Sequence, residues 1–189
     1  RNIFPSNIQG LPTWYEVRIS EAGHLGRRGG VDLMVAMNPQ TWDEDIAEIE
    51  PGGYLLYDSA RDLPPSKLRD DINLIGAPLT QICNRTYTQM RERQLFKNVV
   101  YLGVLSALLD MDVAAIGALI GEQFKGRDKL IEANLHALDL GRDWALKNLQ
   151  CPLGIRLKKV DKVGDLIFGT GNDTSALGAV YGGATVCAW

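Results

Sequence analysis

Apolar residues in the first part of the chain follow the patterns of β-strands. Residues 15–19 alternate between apolar and polar side chains, which predicts a strand with one buried face. Residues 31–37 are almost continuously apolar, as is typical of a strand covered on both faces in a parallel sheet. Shorter apolar runs at 54–57 and 72–77 predict two further strands.

One helix is expected between the second and third of these strands. Asn38 and Pro39 suit a helix start, because asparagine caps free amide groups and proline fits the first turn. The helix is predicted over residues 40–49, and the Pro-Gly-Gly sequence at 51–53 is expected to end it. The acidic residues at 43–45 are favoured near the start by the helix dipole and are expected to face solvent. The order of elements predicts an α/β fold, a Rossmann-like, mainly parallel sheet with flanking helices.

The middle of the chain has the apolar spacing of helices. Residues 95–109 predict the first helix. Asp112 suits the cap of a second helix over 113–124, which Gly126 is expected to stop. A third helix is predicted over 128–149, and its apolar stripe indicates core packing.

Charge argues against a membrane or a nucleic acid as partner. Residues 99–120 are mostly apolar and form a stretch long enough to span a bilayer, but Asp110 and Asp112 interrupt it. Each acid would cost about 2.5–3.5 kcal/mol at the centre of a membrane helix, so two soluble helices are expected. The formal net charge is −3 with no long basic run, which disfavours nucleic-acid binding.

The end of the chain differs in character from the rest. Residues 156–164 are polar and are predicted to form a linker. A short apolar run at 165–168, a helix of small residues at 175–183 and a strand from 184 are expected to follow. Because such a short unit cannot bury a core alone, we expect it to dock on the first domain, on another subunit or on further residues.

Two glycine-containing loops carry candidate chemistry. The loop at 26–30 holds Arg27 and Arg28, which suit either a phosphate site or a solvated turn. The turn at 169–172 precedes a helix and suits either a phosphate or a close helix entry. It is not a full dinucleotide fingerprint, because Thr174 stands where a third glycine is expected.

The residues that most often bind metals are scattered. Cys83, Cys151 and Cys187 include no Cys-x-x-Cys pair, so no metal or iron–sulfur site is expected within this chain alone. Buried, reduced thiols of a cytoplasmic protein are the simpler interpretation. His24 and His136 are far apart in sequence, and the serines lack a nucleophile-elbow motif. No catalytic residue is therefore predicted in the chain.

Two sequence blocks in order resemble a known family. The first comprises Phe4-Pro5-Ser6-Asn7 with the strand at 15–20, the run 31–39 and the segment 51–59, and it looks like the gamma domain of 2-oxoacid:ferredoxin (acceptor) oxidoreductases. The second comprises Gly171-Asn172-Asp173 with 176–179, and it looks like the opening of the thiamine-pyrimidine-type alpha domain that follows when the two are fused. The fused order is most similar to the 2-oxoglutarate branch.

The resemblance implies oxidative decarboxylation of a 2-oxoacid to its acyl-CoA. It implies thiamine diphosphate with magnesium, an iron–sulfur cluster and coenzyme A in the full complex, and electron transfer to ferredoxin. The implied partners are a beta subunit and a second copy of the alpha subunit. The coenzyme A path is expected near four residues of one loop: Ser6, Asn7, Gln9 and Gly10.

Departures from the family pattern predict a fragment. The chain starts on Arg1 without an initiator methionine, and nothing before it supplies the gamma domain's glycine-rich strand–loop–helix unit. The expected domains are a partial gamma domain at 1–155, a linker at 156–164 and the beginning of an alpha domain at 165–189. This fragment is predicted to be inactive by itself.

Two other functions compete with the one that this resemblance implies. A non-catalytic Rossmann-like binding or assembly module explains the apolar strands and weak glycine loops equally well. A nicotinamide dehydrogenase is disfavoured by the missing fingerprint.

Overall fold

The computed structural model describes residues 14–24, 26–160, 164–167 and 169–186 of the 189-residue chain. The chain separates into two compact units, 1–157 and 158–189. In the described part of the first unit, the elements run from β1 (Val31–Ala36), α1 (Trp42–Ala47), β2 (Ile49–Asp58) and β3 (Asn73–Ala77) to α2 (Leu79–Thr86), α3 (Met90–Leu108), α4 (Val113–Gln123) and α5 (Asp128–Asn148). The second unit contains α6 (Gly171–Tyr181).

The predicted parallel sheet is confirmed. Its order is β1-β2-β3, and both neighbouring pairs are parallel. Val35 lies opposite Leu56, and Leu56 lies opposite Ile75, so the apolar runs stand side by side. Consecutive side chains of a strand point to opposite faces, and both Leu55 and Leu56 are fully buried. The sheet is therefore covered on both sides.

Each face of the sheet has its own core. Leu56 and Ile75 pack with residues of α2, α3 and α5, including Leu79 and Val104. Leu55 packs on the other face with the helix α1, and the remaining buried members of that cluster are Ala36, Trp42, Ile46, Ile49 and Ile72. Covering both faces explains why the strand sequences are continuously apolar rather than alternating.

The expected helix at 40–49 is shorter than predicted. A 3-10 turn at Pro39–Thr41 precedes α1, which ends at Ala47, and Ile49 already belongs to β2. The Pro-Gly-Gly sequence at 51–53 does not end a helix but lies inside β2, where the pairing with β1 shifts register. Gly52 has a φ of +82°, and a side chain on Gly53 would lie 2.7 Å from the Ile49 side chain, so the irregular strand requires both glycines.

The predicted strand at 15–19 is wrong. Residues 14–20 form no strand, and Tyr15, Val17 and Ile19 are 82%, 67% and 66% exposed. Alternation produces a strand only where a neighbouring strand offers backbone partners and a core receives one face. None of the strands in the described part of the chain pairs with this segment.

The helical region follows the sequence closely. The Asp112 carboxylate accepts a hydrogen bond from the Ala115 amide and caps α4, and Gly126 takes a φ of +79° just beyond it. The third predicted helix corresponds to α5. The helix α2 was not predicted, because its eight residues are mostly polar and bury only Leu79 and Cys83. No helix in the described residues is both long and apolar enough to cross a bilayer.

The second unit contains less regular structure than predicted. The small-residue helix is present as α6 but begins earlier, at Gly171, and none of its residues is buried. Residues 165–167 and 184–186 form no strand, and Phe168 and 187–189 lie outside the described residues. Close packing of this helix against a neighbour therefore stays a prediction.

Candidate functional site

A cleft of about 490 Å³ opens where the parallel strands end. The residues that follow β1 form one wall, and Asp58 at the end of β2 lies at its base. Thr80, just beyond β3, and Lys97 of α3 complete the lining. Crevices outside the carboxyl ends of parallel strands are the usual ligand sites of open α/β sheets, so the topology makes this cleft the candidate site.

Asp58 is the most fully bonded polar group in the cleft. Its Oδ1 accepts hydrogen bonds from the Ala60 amide at 3.2 Å and the Thr80 amide at 3.3 Å. Its Oδ2 accepts one from the Thr80 hydroxyl and lies 3.6 Å from the Lys97 Nζ. Because the carboxylate is buried and its oxygens already have partners, Asp58 holds the loops that follow β2 and β3 together.

Two cations line the cleft and differ in their surroundings. The Lys97 side chain is 30% exposed and has the Asp58 carboxylate as its ion-pair partner. Arg61 is exposed, and its guanidinium makes no ion pair or hydrogen bond with the described residues. The charged side chains that line the cleft are the cations Arg61 and Lys97 and the carboxylate Asp58, so the net charge of the cleft is positive.

The wall that follows β1 supplies neutral donors. The Asn38 Oδ1 caps the 3-10 turn by accepting a hydrogen bond from the Gln40 backbone amide at 3.1 Å, and both residues line the cleft. The Trp42 ring packs edge-on against Tyr57, with ring centres 6.4 Å apart. Trp42 is only 5% exposed, and its buried indole N–H has no hydrogen-bond partner among the described residues.

Cys83 lies in the core and is not one of the residues that line the cleft. The residue is 1% exposed, and burial raises the pKa of its thiol, although the nearby Lys97 acts in the opposite direction. Burial likewise raises the pKa of the Cys151 thiol. Both thiols are free. The expectation of a buried cysteine is confirmed for Cys83, whereas Cys151 is only partly buried and Cys187 lies outside the described residues.

The arginine loop contacts carboxylates. Arg27 lies 2.8 Å from Glu16 and 3.7 Å from Glu48, and Arg28 lies 3.1 Å from Asp32. These pairs are exposed and already use both guanidinium groups. The structure therefore favours the interpretation of residues 26–30 as a solvated turn.

The glycine turn before α6 is occupied by its own side chains. The Thr170 hydroxyl accepts a hydrogen bond from the Asp173 amide, and the Asp173 carboxylate accepts bonds from the Thr170 hydroxyl and amide. These bonds lower the pKa of Asp173, so a carboxylate of the chain itself already occupies the helix start. The structure favours the close helix entry over a phosphate site.

One expectation about the acidic helix is wrong. Asp45 was expected to face solvent, but it is 3% exposed. Its carboxylate accepts a 2.6 Å hydrogen bond from the Trp14 indole and a 2.8 Å bond from the Thr41 hydroxyl. Trp14 lies 31 positions from Asp45 in sequence, and Thr41 lies 4 positions away. Helical periodicity relates only residues a few positions apart, so it could not predict the contact with Trp14.

The residues expected near coenzyme A lie outside the described residues. They are Ser6, Asn7, Gln9 and Gly10. Among the residues that the structure describes, no group of three or more histidine, cysteine, aspartate or glutamate side chains is arranged to hold a metal ion.

The cleft residues were missed at the level of sequence. Asp58, Thr80 and Lys97 come from three separate elements, and no spacing connects them. The available signal was position, because Asp58 directly follows the strand predicted at 54–57 and Asn38 directly follows the strand predicted at 31–37. The carboxyl ends of parallel strands meet at one edge, so polar residues at those points converge.

Among proteins of known function, the chain is similar to subunits of 2-oxoacid oxidoreductases. It is 33% identical over 121 residues to the ketoisovalerate oxidoreductase subunit VorA of Methanothermobacter marburgensis, covering 63% of this chain and 24% of that protein. It is 23% identical to subunit alpha of 2-oxoacid:ferredoxin oxidoreductase 2 of Aeropyrum pernix, covering 97% of this chain and 34% of that protein. The chain thus spans about a quarter to a third of these relatives.

A solved structure gives the same result. The 2-oxoglutarate:ferredoxin oxidoreductase of Magnetococcus marinus, determined with 2-oxoglutarate, coenzyme A and succinyl-CoA bound, matches with a TM-score of 0.70 and 26% identity. The match covers 85% of this chain and 27% of that one. The family model for pyruvate ferredoxin/flavodoxin oxidoreductase matches residues 1–144. Since that match covers well over half of the sequence, the chain belongs to the pyruvate ferredoxin/flavodoxin oxidoreductase family.

Proposed function

We propose that the chain is part of the alpha subunit of a 2-oxoacid:ferredoxin oxidoreductase. The complex oxidatively decarboxylates 2-oxoglutarate, transfers the acyl group to coenzyme A and passes the electrons to ferredoxin. The observation that carries the proposal is the structural likeness to a 2-oxoglutarate:ferredoxin oxidoreductase over 85% of the chain. The chain spans only 27% of that protein, so the reaction is proposed for the assembled complex.

Within this complex, the chain contributes two segments. Residues 1–155 form part of the gamma domain, residues 156–164 form a linker, and residues 165–189 begin the alpha domain. Two observations support this division. The boundary between the compact units, at 157/158, lies inside the proposed linker, and the relative from Aeropyrum pernix matches 97% of the chain within one alpha subunit.

The cofactors are proposed to act from the complete complex. Thiamine diphosphate with magnesium supplies the carbanion chemistry of decarboxylation when bound, and an iron–sulfur cluster carries the electrons. The loop holding Ser6, Asn7, Gln9 and Gly10 lies on the coenzyme A side. The proposed partners are a beta subunit, a second alpha subunit and ferredoxin, in the cytoplasm. The chain by itself is proposed to be inactive.

The experiment compares substrates on the purified complex. Coenzyme A-dependent reduction of ferredoxin is measured with 2-oxoglutarate, 2-oxoisovalerate and pyruvate. We expect the highest kcat/KM with 2-oxoglutarate, by at least about tenfold, because contacts to a second carboxylate are lost with the other acids. A preference for 2-oxoisovalerate or pyruvate refutes the substrate assignment and retains the reaction class. Absence of turnover with all the acids contradicts the enzyme class, with loading of every cofactor confirmed as the control.

A further inference from the structure

Asp45 is a buried carboxylate whose hydrogen-bond donors are both neutral. The residue is 3% exposed, and the carboxylate accepts hydrogen bonds from the Trp14 indole at 2.6 Å and the Thr41 hydroxyl at 2.8 Å. Burying a charge is costly, and two neutral donors offset that cost only in part. An apolar side chain would fill the same space without this cost, so the carboxylate indicates a role beyond packing.

The contact with Trp14 anchors the segment that precedes β1. Tyr15 and Val17 are mostly exposed, so their side chains bury little apolar surface. The ion pairs that Arg27 makes with two glutamates are exposed as well, and exposed ion pairs contribute little to stability. Among these contacts, the buried hydrogen bond to Asp45 therefore restrains the segment most.

The anchor at Asp45 is itself rigid. Asp45 belongs to α1, and the Thr41 hydroxyl that donates to it also lies 3.0 Å from the Asn38 carbonyl oxygen. Asn38 directly follows the predicted strand at 31–37 and lines the cleft at the carboxyl edge of the sheet. A group that positions others has to be held by its own neighbours, and Asp45 meets this condition.

Trp14 closely follows the loop proposed for coenzyme A. The last residue of that loop, Gly10, precedes Trp14 by four positions. Four residues span at most about 14 Å when fully extended, so fixing Trp14 limits where the loop can lie. A ligand binds more tightly to a loop whose freedom has already been restricted, because less conformational entropy is lost on binding.

We propose that Asp45 is a positioning residue that orients the coenzyme A loop by holding Trp14. The loop comprises Ser6, Asn7, Gln9 and Gly10. The inference rests on the proposed function, which assigns coenzyme A to this loop. Asp45 acts through Trp14 and is not required to contact coenzyme A.

The test measures the Kd of coenzyme A for the purified complex by isothermal titration calorimetry, without a 2-oxoacid. We expect Asp45→Ala to raise the Kd at least about fivefold, because the loop loses its restraint. Asp45→Asn is expected to restore the Kd to within about twofold of the wild type, since its amide oxygen still accepts from the indole. The matched control is Glu44→Ala, an exposed neighbour on α1, which should leave the Kd within about twofold.

A second variant removes the other partner of the same hydrogen bond. Trp14→Phe retains an aromatic ring and deletes only the indole donor, so it tests the contact even if Asp45→Ala does not fold. We expect it to raise the Kd at least about threefold. In turnover assays, both variants should raise the KM for coenzyme A and leave kcat at saturating coenzyme A within about twofold, because the contact affects binding rather than chemistry.

The possible outcomes separate this inference from the proposed function. A complex that binds coenzyme A but turns over no 2-oxoacid contradicts the proposed reaction, and the Kd values still decide the role of Asp45. The inference is overturned if the folded Asp45→Ala and Trp14→Phe complexes bind coenzyme A like the wild type, or if Asp45→Asn binds as weakly as Asp45→Ala. It is also overturned if the wild-type complex does not bind coenzyme A.

Discussion

Two glycines determine how closely α3 and α5 approach each other. A Cβ atom on Gly103 would lie 2.1 Å from the Leu138 carbonyl oxygen, and one on Gly141 would lie 1.9 Å from the Val100 carbonyl oxygen. The obstacle in both cases is backbone, which cannot rotate away as a side chain can. The two helices therefore depend on small residues that stand 38 positions apart in sequence.

This contact predicts a large penalty for adding one methyl group. Gly141→Ala is expected to lower the free energy of unfolding by about 1–3 kcal/mol, because the helices must move apart. Urea unfolding followed by circular dichroism measures the change. The matched control is Gly121→Ala in α4, where no atom lies within 4 Å of the new methyl group and helix propensity gains up to about 1 kcal/mol. Equal effects of the two substitutions would contradict the close approach.

Arg69 joins three parts of the chain. Its Nη1 donates to the carbonyl oxygens of Ile46 at 2.7 Å and Ile49 at 2.9 Å, where α1 leads into β2. Its Nε and Nη2 donate to the two oxygens of Asp71 at 2.8 Å and 2.6 Å. The hydrogen bond from Arg69 lowers the pKa of the Asp71 carboxyl.

The lowered pKa of Asp71 carries a pH dependence with a definite sign. The stabilisation is fully present above the ordinary carboxyl pKa of about 3.9 and is lost as the pH falls through the lowered value. Arg69→Gln is therefore expected to raise the pKa of Asp71 toward its ordinary range, as measured by titration of the carboxyl ¹³C shift. Arg91→Gln serves as the control and should leave that titration unchanged. An unaltered midpoint in Arg69→Gln refutes the assignment.

At the scale of elements, capping was the most reliable signal in the sequence. The position of Asp112 before an apolar run predicts a helix cap, and its carboxylate accepts a hydrogen bond from the Ala115 amide at 3.2 Å. A cap acts between residues three positions apart, so the sequence contains both partners. The alternating pattern at 15–19 did not predict the structure correctly, because the hydrogen-bond partners of a strand come from another strand that the local pattern does not contain.

The cap of α4 can be tested directly. Asp112→Ala is expected to cost about 1 kcal/mol of stability, because the Ala115 amide loses its acceptor. The control is Asp139→Ala on the exposed side of α5, where alanine slightly favours the helix. Urea unfolding of both variants measures the difference. A loss as large in Asp139→Ala would show that charge, not capping, is responsible.

At the scale of the whole molecule, the chain consists of two units of unequal content. Unit 1 contains the three buried hydrophobic clusters of the described residues and the cleft, whereas no residue of α6 in unit 2 is buried. The boundary between the units lies next to Lys158 and Lys159, which are exposed and outside any helix or strand.

Limited trypsin digestion tests this division. Proteases need extended backbone, so cleavage after Lys158 or Lys159 is expected to precede cleavage after Lys147, which is equally exposed but lies in α5. Intact-mass spectrometry over time identifies the order of these cuts, and the urea-unfolded chain, where all three are cut alike, is the control. Early cleavage after Lys147 would contradict the proposed boundary.

The sequence by itself determined the parallel sheet, the helices α3 to α5 and the α4 cap, because these depend on periodicity and on partners a few residues away. It also carried the resemblance to the oxidoreductase family. Only the tertiary structure decided that 15–19 forms no strand, that Asp45 is buried beneath Trp14, and that Asp58, Thr80 and Lys97 meet in one cleft. These outcomes rest on contacts between distant segments, and the burial that decides them exists only after the chain has folded.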